Sequence, residues 1–187
     1  PRATSRTMIE GLGHGSIIRR DGRLKFVALG AKTMQVDLGE FKRMCIGIPW
    51  GDIATAWRST GIPNIEVYTA VPATAIRLAK VTNYFNWLLR KQWVKAYLQK
   101  KVDSKPSGPD DERLKSGHSY LWGRAWDDAG NSVNARLKTA NGYLLTARVA
   151  TIIVQKLLST SVRPGYHTPA QYFGEDLIFM AQGSEWI

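Results

Sequence analysis

Hydrophobic and polar residues alternate along several short stretches of the chain, as they do in half-buried β-strands. The clearest alternation occurs in two segments that each contain turn residues at their centre, residues 17–27 and residues 120–137. The first turns at Asp21-Gly22, a pair that tolerates the positive φ angles of a tight hairpin. The second turns between Asp127 and Asn131. Three further extended segments are predicted over residues 33–38, 42–48 and 65–71.

Apolar residues recur at helical spacing in five other segments. These cover residues 4–12, 52–60, 73–102 and 142–158, and a last element that begins at Thr168-Pro169. The longest, 73–102, is expected to break or bend between Asn83 and Asn86. The helix over 142–158 is apolar on more than one side, so we expect it to be covered from more than one direction.

These elements predict an α+β fold in which an antiparallel or mixed sheet of about six or seven strands is covered by long helices. A length of 187 residues fits one domain, so residues 1–187 are predicted to form a single unit. Residues 103–117 are rich in proline, glycine, serine and charge, which predicts an exposed loop.

The composition narrows the functional classes. A net charge of +11 favours an anionic partner, or else reflects the removal of an acidic partner domain. Cys45 is the only cysteine, so no internal disulfide can form and a reducing, cytoplasmic location is expected. The three histidines are too scattered to predict a metal site. The first residues lack the apolar segment of a signal peptide, and no apolar run reaches the ~20 residues of a membrane span.

Three blocks of sequence resemble the saccharopine dehydrogenase-like oxidoreductases, including their trans-acting enoyl reductase relatives. The first block leads from Thr7-Met8-Ile9-Glu10-Gly11 into Arg20-Asp21-Gly22, and the second runs from Trp50-Gly51-Asp52 to Tyr68. The third begins at Gly108-Pro109 and ends at Phe173-Gly174, and it includes Trp122-Gly123, Gly142-Tyr143 and Gly165-Tyr166-His167-Thr168-Pro169. Together the blocks span nearly the whole chain.

In that family an N-terminal Rossmann domain binds NAD(P), and the region that follows it binds substrate and often builds the dimer. The resemblance therefore implies a C-terminal substrate-binding and dimerisation domain with no cofactor of its own. Such a domain is expected to be inactive without its Rossmann partner. The glycines at residues 11–15 are not expected to hold a nucleotide, because they follow a predicted helix and precede a hairpin.

Six residues in the matched blocks are candidates for substrate binding: Asp52, Thr55, Arg58, Tyr68, Tyr143 and His167. Asp52 is suited to proton transfer or, more simply, to capping the helix that follows it. Arg58 is suited to gripping a carboxylate or to an ordinary surface ion pair. No catalytic residue is assigned, since hydride transfer is carried out by the cofactor.

The segment 83–101 supports a different interpretation, a lipid- or membrane-surface-binding module. Aromatic and basic residues alternate there, as they do in interfacial helices, and such residues also suit a tunnel for a lipid chain. The predicted contacts are Phe85, Trp87, Lys91, Trp93 and Lys95. A helix that covers the core and keeps its basic edge in water remains the simpler explanation. Nucleic-acid binding is not favoured, because no recognisable motif accompanies the basic charge.

Overall fold

The computed structural model of the chain describes residues 2–104 and 111–187. The chain separates into two compact units. Unit 1 comprises Pro1–Val36 and Arg43–Pro109, and unit 2 comprises Asp37–Lys42 and Asp110–Ile187. Whether the two units act as the single substrate-binding domain that the sequence suggests stays a prediction.

The strands form three small antiparallel sheets, ordered β1-β2, β3-β4-β5 and β6-β7-β8. Their bounds are β1 Ser16–Arg20, β2 Arg23–Val27, β3 Thr33–Asp37, β4 Lys42–Gly47, β5 Tyr68–Ala70, β6 His118–Trp126, β7 Ser132–Ala140 and β8 Glu185–Trp186. The α+β class is confirmed, but the prediction of one sheet of six or seven strands is wrong. Alternation identifies strands without identifying their partners, and here most strands pair with a neighbour in sequence.

Helices account for most of the remaining described chain. Their bounds are α1 Arg2–Glu10, α2 Asp52–Thr60, α3 Ala73–Thr82, α4 Asn86–Leu89, α5 Gln92–Asp103, α6 Asp111–Ser116, α7 Gly142–Ser159 and α8 Pro169–Phe173. Two 3₁₀ helices cover Asn83–Phe85 and Glu175–Met180. The predicted break near Asn83 is therefore confirmed. The predicted loop over 103–117 differs, because Asp103 ends α5 and α6 is helical, while residues 105–110 lie outside the described chain.

The first predicted hairpin is present with its expected turn. β1 and β2 pair from Ser16 with Val27 to Arg20 with Arg23. The turn residues Asp21 and Gly22 have φ angles of 53° and 71°, the left-handed region that this dipeptide tolerates.

The core of unit 1 lies between β4 and α3, where Ile46, Ile48 and Ile76 are buried together. Cys45, beside this cluster, is buried, and burial raises the pKa of its thiol. In unit 2 the interior includes Thr139, Leu177 and Ala181. The helix α7 has no fully buried residue, and its Leu158 is 84 % exposed, so within the described unit it is covered less than its apolar sequence predicts.

Candidate functional site

Two of the three blocks that carry the family resemblance meet in unit 1. The backbones of Arg19 and Ile65 exchange two hydrogen bonds, of 2.9 and 3.0 Å. The Gly22 amide donates to the Pro63 carbonyl at 2.9 Å. The segment between α2 and β5 is thus fastened along β1 and its turn, although more than 40 residues of chain separate the two partners.

The side chain of Arg19 fixes α2 to the same hairpin. Arg19 is 7 % exposed, and its Nε donates to the Ile53 carbonyl in the first turn of α2 at 3.0 Å. One of its terminal nitrogens donates to the Gly22 carbonyl at 2.6 Å. The guanidinium lies 5.0 Å from the ring centre of Trp57, within cation–π range. One buried cation therefore makes two contacts to α2 and one to the hairpin turn, and these contacts join the two elements.

The next residues along this seam form a polar group that we call the Glu66 cluster: Glu66, Lys32, Arg20 and Tyr68. Lys32 Nζ and Arg20 Nη2 lie 2.7 and 3.3 Å from Glu66 Oε1. The Tyr68 hydroxyl donates to the other carboxylate oxygen at 2.5 Å. The Glu66 side chain is 21 % exposed and Tyr68 is half-buried, whereas the Lys32 and Arg20 side chains are more open to water.

Electrostatics keep the two acidic groups of this cluster in opposite protonation states. Burial opposes ionisation of Glu66, but hydrogen bonds from Lys32 and Tyr68 and the charges of Lys32 and Arg20 outweigh it and lower its pKa. Burial, followed by the hydrogen bond to Glu66, raises the pKa of Tyr68. Glu66 is therefore an anion and Tyr68 a neutral hydrogen-bond donor over the physiological range.

The structure distributes the six predicted substrate residues over both units. Asp52, Thr55 and Arg58 lie on α2 in unit 1, and Tyr68 lies in β5 within the Glu66 cluster. Thr55 Oγ1 donates to the Gly51 carbonyl at 3.3 Å, and Arg58 is exposed. The predicted capping role of Asp52 is wrong, because Gly51 occupies the N-cap and Asp52 is the first helical residue. Its carboxylate still lies at the end of the helix that favours negative charge.

The other two predicted residues lie in unit 2. Tyr143 is exposed in the first turn of α7, where its amide is capped by the Asn141 side chain at 3.0 Å. His167 Nε2 lies 3.2 Å from the Pro164 carbonyl, and its ring meets Tyr172 edge-on at 5.3 Å. Both residues have structural partners of their own.

Sequence reasoning selected Tyr68 but missed its three partners. A signal was available, because Glu66 is a lone acid inside the apolar run Ile65-Glu66-Val67. A carboxylate in a half-buried strand needs nearby cations, and Arg20 and Lys32 supply them. Their distance in sequence, 46 and 34 positions, concealed the pairing.

Unit 2 contains a similar group without an arginine, the Glu40 cluster: Glu40, Lys138 and Tyr120. Lys138 Nζ and the Tyr120 hydroxyl donate to the two oxygens of Glu40 at 2.8 and 2.7 Å. The hydrogen bond from Lys138 and then that from Tyr120 lower the pKa of Glu40. Glu40 is exposed to solvent, whereas its partners Lys138 and Tyr120 are half-buried.

The glycine-rich loop at residues 11–15 follows α1 and precedes β1, as the sequence predicts. Two of its glycines, Gly13 and Gly15, are required by the protein's own backbone. A Cβ atom at Gly15 would lie 2.5 Å from the Val27 carbonyl oxygen, and one at Gly13 would lie 2.8 Å from that of Asn86. The loop is thus packed against its own chain and is not arranged like a nucleotide-binding turn, which joins a strand to a helix.

Of the predicted lipid contacts, four are accessible and one is not. Phe85, Trp87, Lys91 and Trp93 are exposed. Lys95 is 6 % exposed and donates to the Glu10 carbonyl at 2.6 Å. Lys95 therefore fastens α5 to α1 and is not available to a surface ligand.

An open groove of about 430 Å³ lies along α7 in unit 2. Ile152 and Met180 line it, and Arg148 crosses it to donate to the Gln182 carbonyl at 2.6 Å. Across residues 2–104 and 111–187, no group of three or more potential metal ligands is found, and no helix is long and apolar enough to cross a membrane.

No protein-family model and no curated protein matches the chain. The family resemblance therefore depends on the three sequence blocks alone.

Proposed function

We propose that this chain is the substrate-binding and dimerisation domain of a saccharopine dehydrogenase-like, NAD(P)-dependent oxidoreductase. The nicotinamide would be held by a Rossmann domain outside these 187 residues, and a second copy of the chain would complete a dimer. The single observation that supports this proposal best is the seam in unit 1. There, two blocks that resemble the family form one hydrogen-bonded arrangement that leads to Tyr68.

The Glu66 cluster suits a substrate that carries a carbonyl and a negative charge. Tyr68 keeps its proton, which it donates to Glu66 in the structure described. On substrate binding the hydroxyl would turn from Glu66 to a carbonyl oxygen and polarise that bond towards hydride addition. Lys32 and Arg20 together carry one more positive charge than Glu66 neutralises. That excess favours a carboxylate or phosphate on the substrate. Arg58, on α2, is a further candidate for such a group.

The cofactor would supply the hydride, so this chain's contribution is to bind, orient and polarise the substrate. We therefore expect that the isolated chain oxidises neither NADH nor NADPH when a carbonyl-containing or enoyl acid is supplied as substrate. Joined to its Rossmann domain, the enzyme should oxidise one of the two cofactors in the presence of its substrate.

Single substitutions in that joined enzyme test the assignment. Tyr68→Phe and Arg58→Ala should each lower kcat/KM for the substrate by at least about tenfold, the loss of one hydrogen bond to a charged or polarised group. The KM for the nicotinamide should not change. Tyr120→Phe is the matched control, because Tyr120 also hydrogen-bonds a glutamate but lies in unit 2. Unchanged turnover in both Tyr68→Phe and Arg58→Ala would contradict this substrate site.

A further inference from the structure

The helical segment 73–102 in unit 1, which we call the basic aromatic segment, exposes an unusual amount of apolar surface. Seven of its large apolar side chains are between 51 and 82 % exposed. They are Leu78, Val81, Tyr84, Phe85, Trp87, Trp93 and Tyr97. Scattered apolar residues are common on protein surfaces, but seven within 20 consecutive positions mark an interaction surface.

The opposite side of α5 is already occupied, which fixes the direction in which the aromatic residues of α5 point. On α5, Lys95 donates to the Glu10 carbonyl of α1, and Gln99 donates to the Glu10 side chain. Farther along, Asp103 pairs with Arg6 at 2.7 Å. Trp93 and Tyr97 lie one helical turn apart and both face away from these contacts.

The charge of the segment is of one sign. Residues 67–102 contain seven lysines and arginines and no acidic residue. Lys95 is buried, and the other six are exposed: Arg77, Lys80, Arg90, Lys91, Lys100 and Lys101. The acids at the two borders, Glu66 and Asp103, are paired with Lys32 and Arg6 from elsewhere in unit 1. Neither border acid is paired with one of the six exposed cations.

We propose that the basic aromatic segment binds the surface of an anionic lipid bilayer. Tryptophan and tyrosine favour the boundary between headgroups and hydrocarbon, and lysine and arginine bind the anionic headgroups beside them. Leu78 and Val81 fit the same environment, since an interfacial helix places its aliphatic residues in hydrocarbon. This interaction is independent of the oxidoreductase proposal, because it uses neither the Glu66 cluster nor α2.

Two other occupants fit the surface less well. A second copy of the segment would bring the same six cations against one another, and like charges across an interface are costly. Single-stranded RNA would stack on the aromatic rings and contact the cations, but Leu78 and Val81 offer it no stacking surface. Charge and aliphatic content together therefore favour a bilayer.

The test is sedimentation of the whole chain with vesicles of phosphatidylcholine, with and without phosphatidylserine, at low and high salt. We expect binding to the anionic vesicles only, and weaker binding as salt rises. Each basic residue near such a surface contributes about fivefold in affinity, so the double variant Lys91→Glu/Lys100→Glu should weaken binding by at least about 25-fold. Trp93→Ser should weaken it by removing an interfacial anchor.

Two matched controls separate this surface from the general charge and aromatic content of the chain. Trp126 in unit 2 is 66 % exposed against 67 % for Trp93, so Trp126→Ser removes an equally exposed ring. Lys115→Glu reverses an exposed lysine outside the segment. Both variants should keep the wild-type affinity to within about twofold, given that one charge or ring outside the segment contributes little.

Several results would overturn the proposal. They are the absence of binding to anionic vesicles, equal binding to neutral vesicles, and equal losses in the control variants. If single-stranded RNA displaced the protein from vesicles at an RNA concentration below that of the lipid, the surface would be assigned to nucleic acid instead. A dimer in size-exclusion chromatography that dissociates on Trp93→Ser would assign it to a second copy.

Discussion

Each unit contains a glutamate held between a lysine and a tyrosine, and the two glutamates differ in their access to water. The lysine and tyrosine lie 2.7 and 2.5 Å from Glu66, and 2.8 and 2.7 Å from Glu40. Glu66 has a further partner, Arg20, at 3.3 Å. The Glu66 side chain is 21 % exposed, whereas that of Glu40 is 49 % exposed. The same three residue types therefore operate in two different environments.

The cause of the raised tyrosine pKa shows what this difference means. For Tyr68 the largest cause is burial, and for Tyr120 it is the hydrogen bond to Glu40. An exposed ion pair is screened by water and contributes little, while a half-buried one is positioned and strengthened by its surroundings. This is why we assign substrate binding to the Glu66 cluster and use the Glu40 cluster as its control.

The largest expected effect is a loss of stability on substitution of Arg19 in unit 1, compared with Arg136 in unit 2. Arg19→Met should lower the free energy of unfolding by about 3 kcal/mol, because the carbonyls of Ile53 and Gly22 lose a buried charged donor. Arg136 also donates from Nε to a carbonyl, that of Asp37 at 2.9 Å, but its side chain is 37 % exposed. Arg136→Met should cost about 1 kcal/mol or less.

Urea unfolding measures these losses, and hydrogen exchange locates them. Amide protection in α2 should fall in Arg19→Met and stay unchanged in Arg136→Met, since only Arg19 fastens α2. If the two variants lost the same stability, burial would not distinguish the two units.

The next largest expected effect is on the way the free energy of unfolding changes with pH in the acid range. Because the pKa of Glu66 is lowered from its ordinary 4.5, the folded protein binds this proton less readily than the unfolded chain. The stabilisation is therefore fully present above 4.5 and is lost as pH falls through the lower, folded value. Glu66→Gln should remove about 1 kcal/mol at neutral pH and flatten the acid dependence. The pKa of Glu40 is also lowered, so Glu40 stabilises the fold in the same pH range. Glu40→Gln should flatten the dependence of stability on pH less, because water screens the interaction of Glu40 with its partners.

The measurement is the free energy of unfolding of the wild type and both variants across the acid range. Equal flattening by Glu66→Gln and Glu40→Gln would show that the half-buried and exposed clusters are energetically equivalent. That result would remove the physical argument for preferring unit 1 as the substrate site.

Local features of this fold were predictable from sequence, and distant pairings were not. Asp21-Gly22 predicts its hairpin because positive φ is a property of the turn residues themselves. The last helix begins at Thr168-Pro169 as predicted, and the Thr168 side chain caps it by accepting from the Gln171 amide at 3.3 Å. The Glu66 cluster depends instead on Arg20 and Lys32, which no local pattern connects to it. The division into three sheets escaped prediction for the same reason.

The smallest expected effect concerns the two tyrosines at high pH. A raised pKa means that the folded protein holds the phenol proton more tightly than the unfolded chain does. The stabilisation is therefore present below the ordinary value of 10.0 and is lost as pH rises through the higher, folded value. The Tyr68 proton should be the harder of the two to remove, since burial adds to the effect of its glutamate. Phenolate absorbance during an alkaline titration checks this. The absorbance step that is lost in Tyr68→Phe should lie at higher pH than the step that is lost in Tyr120→Phe. The reverse order would mean that the Glu40 cluster is the better shielded of the two, and the substrate site would have to be sought in unit 2.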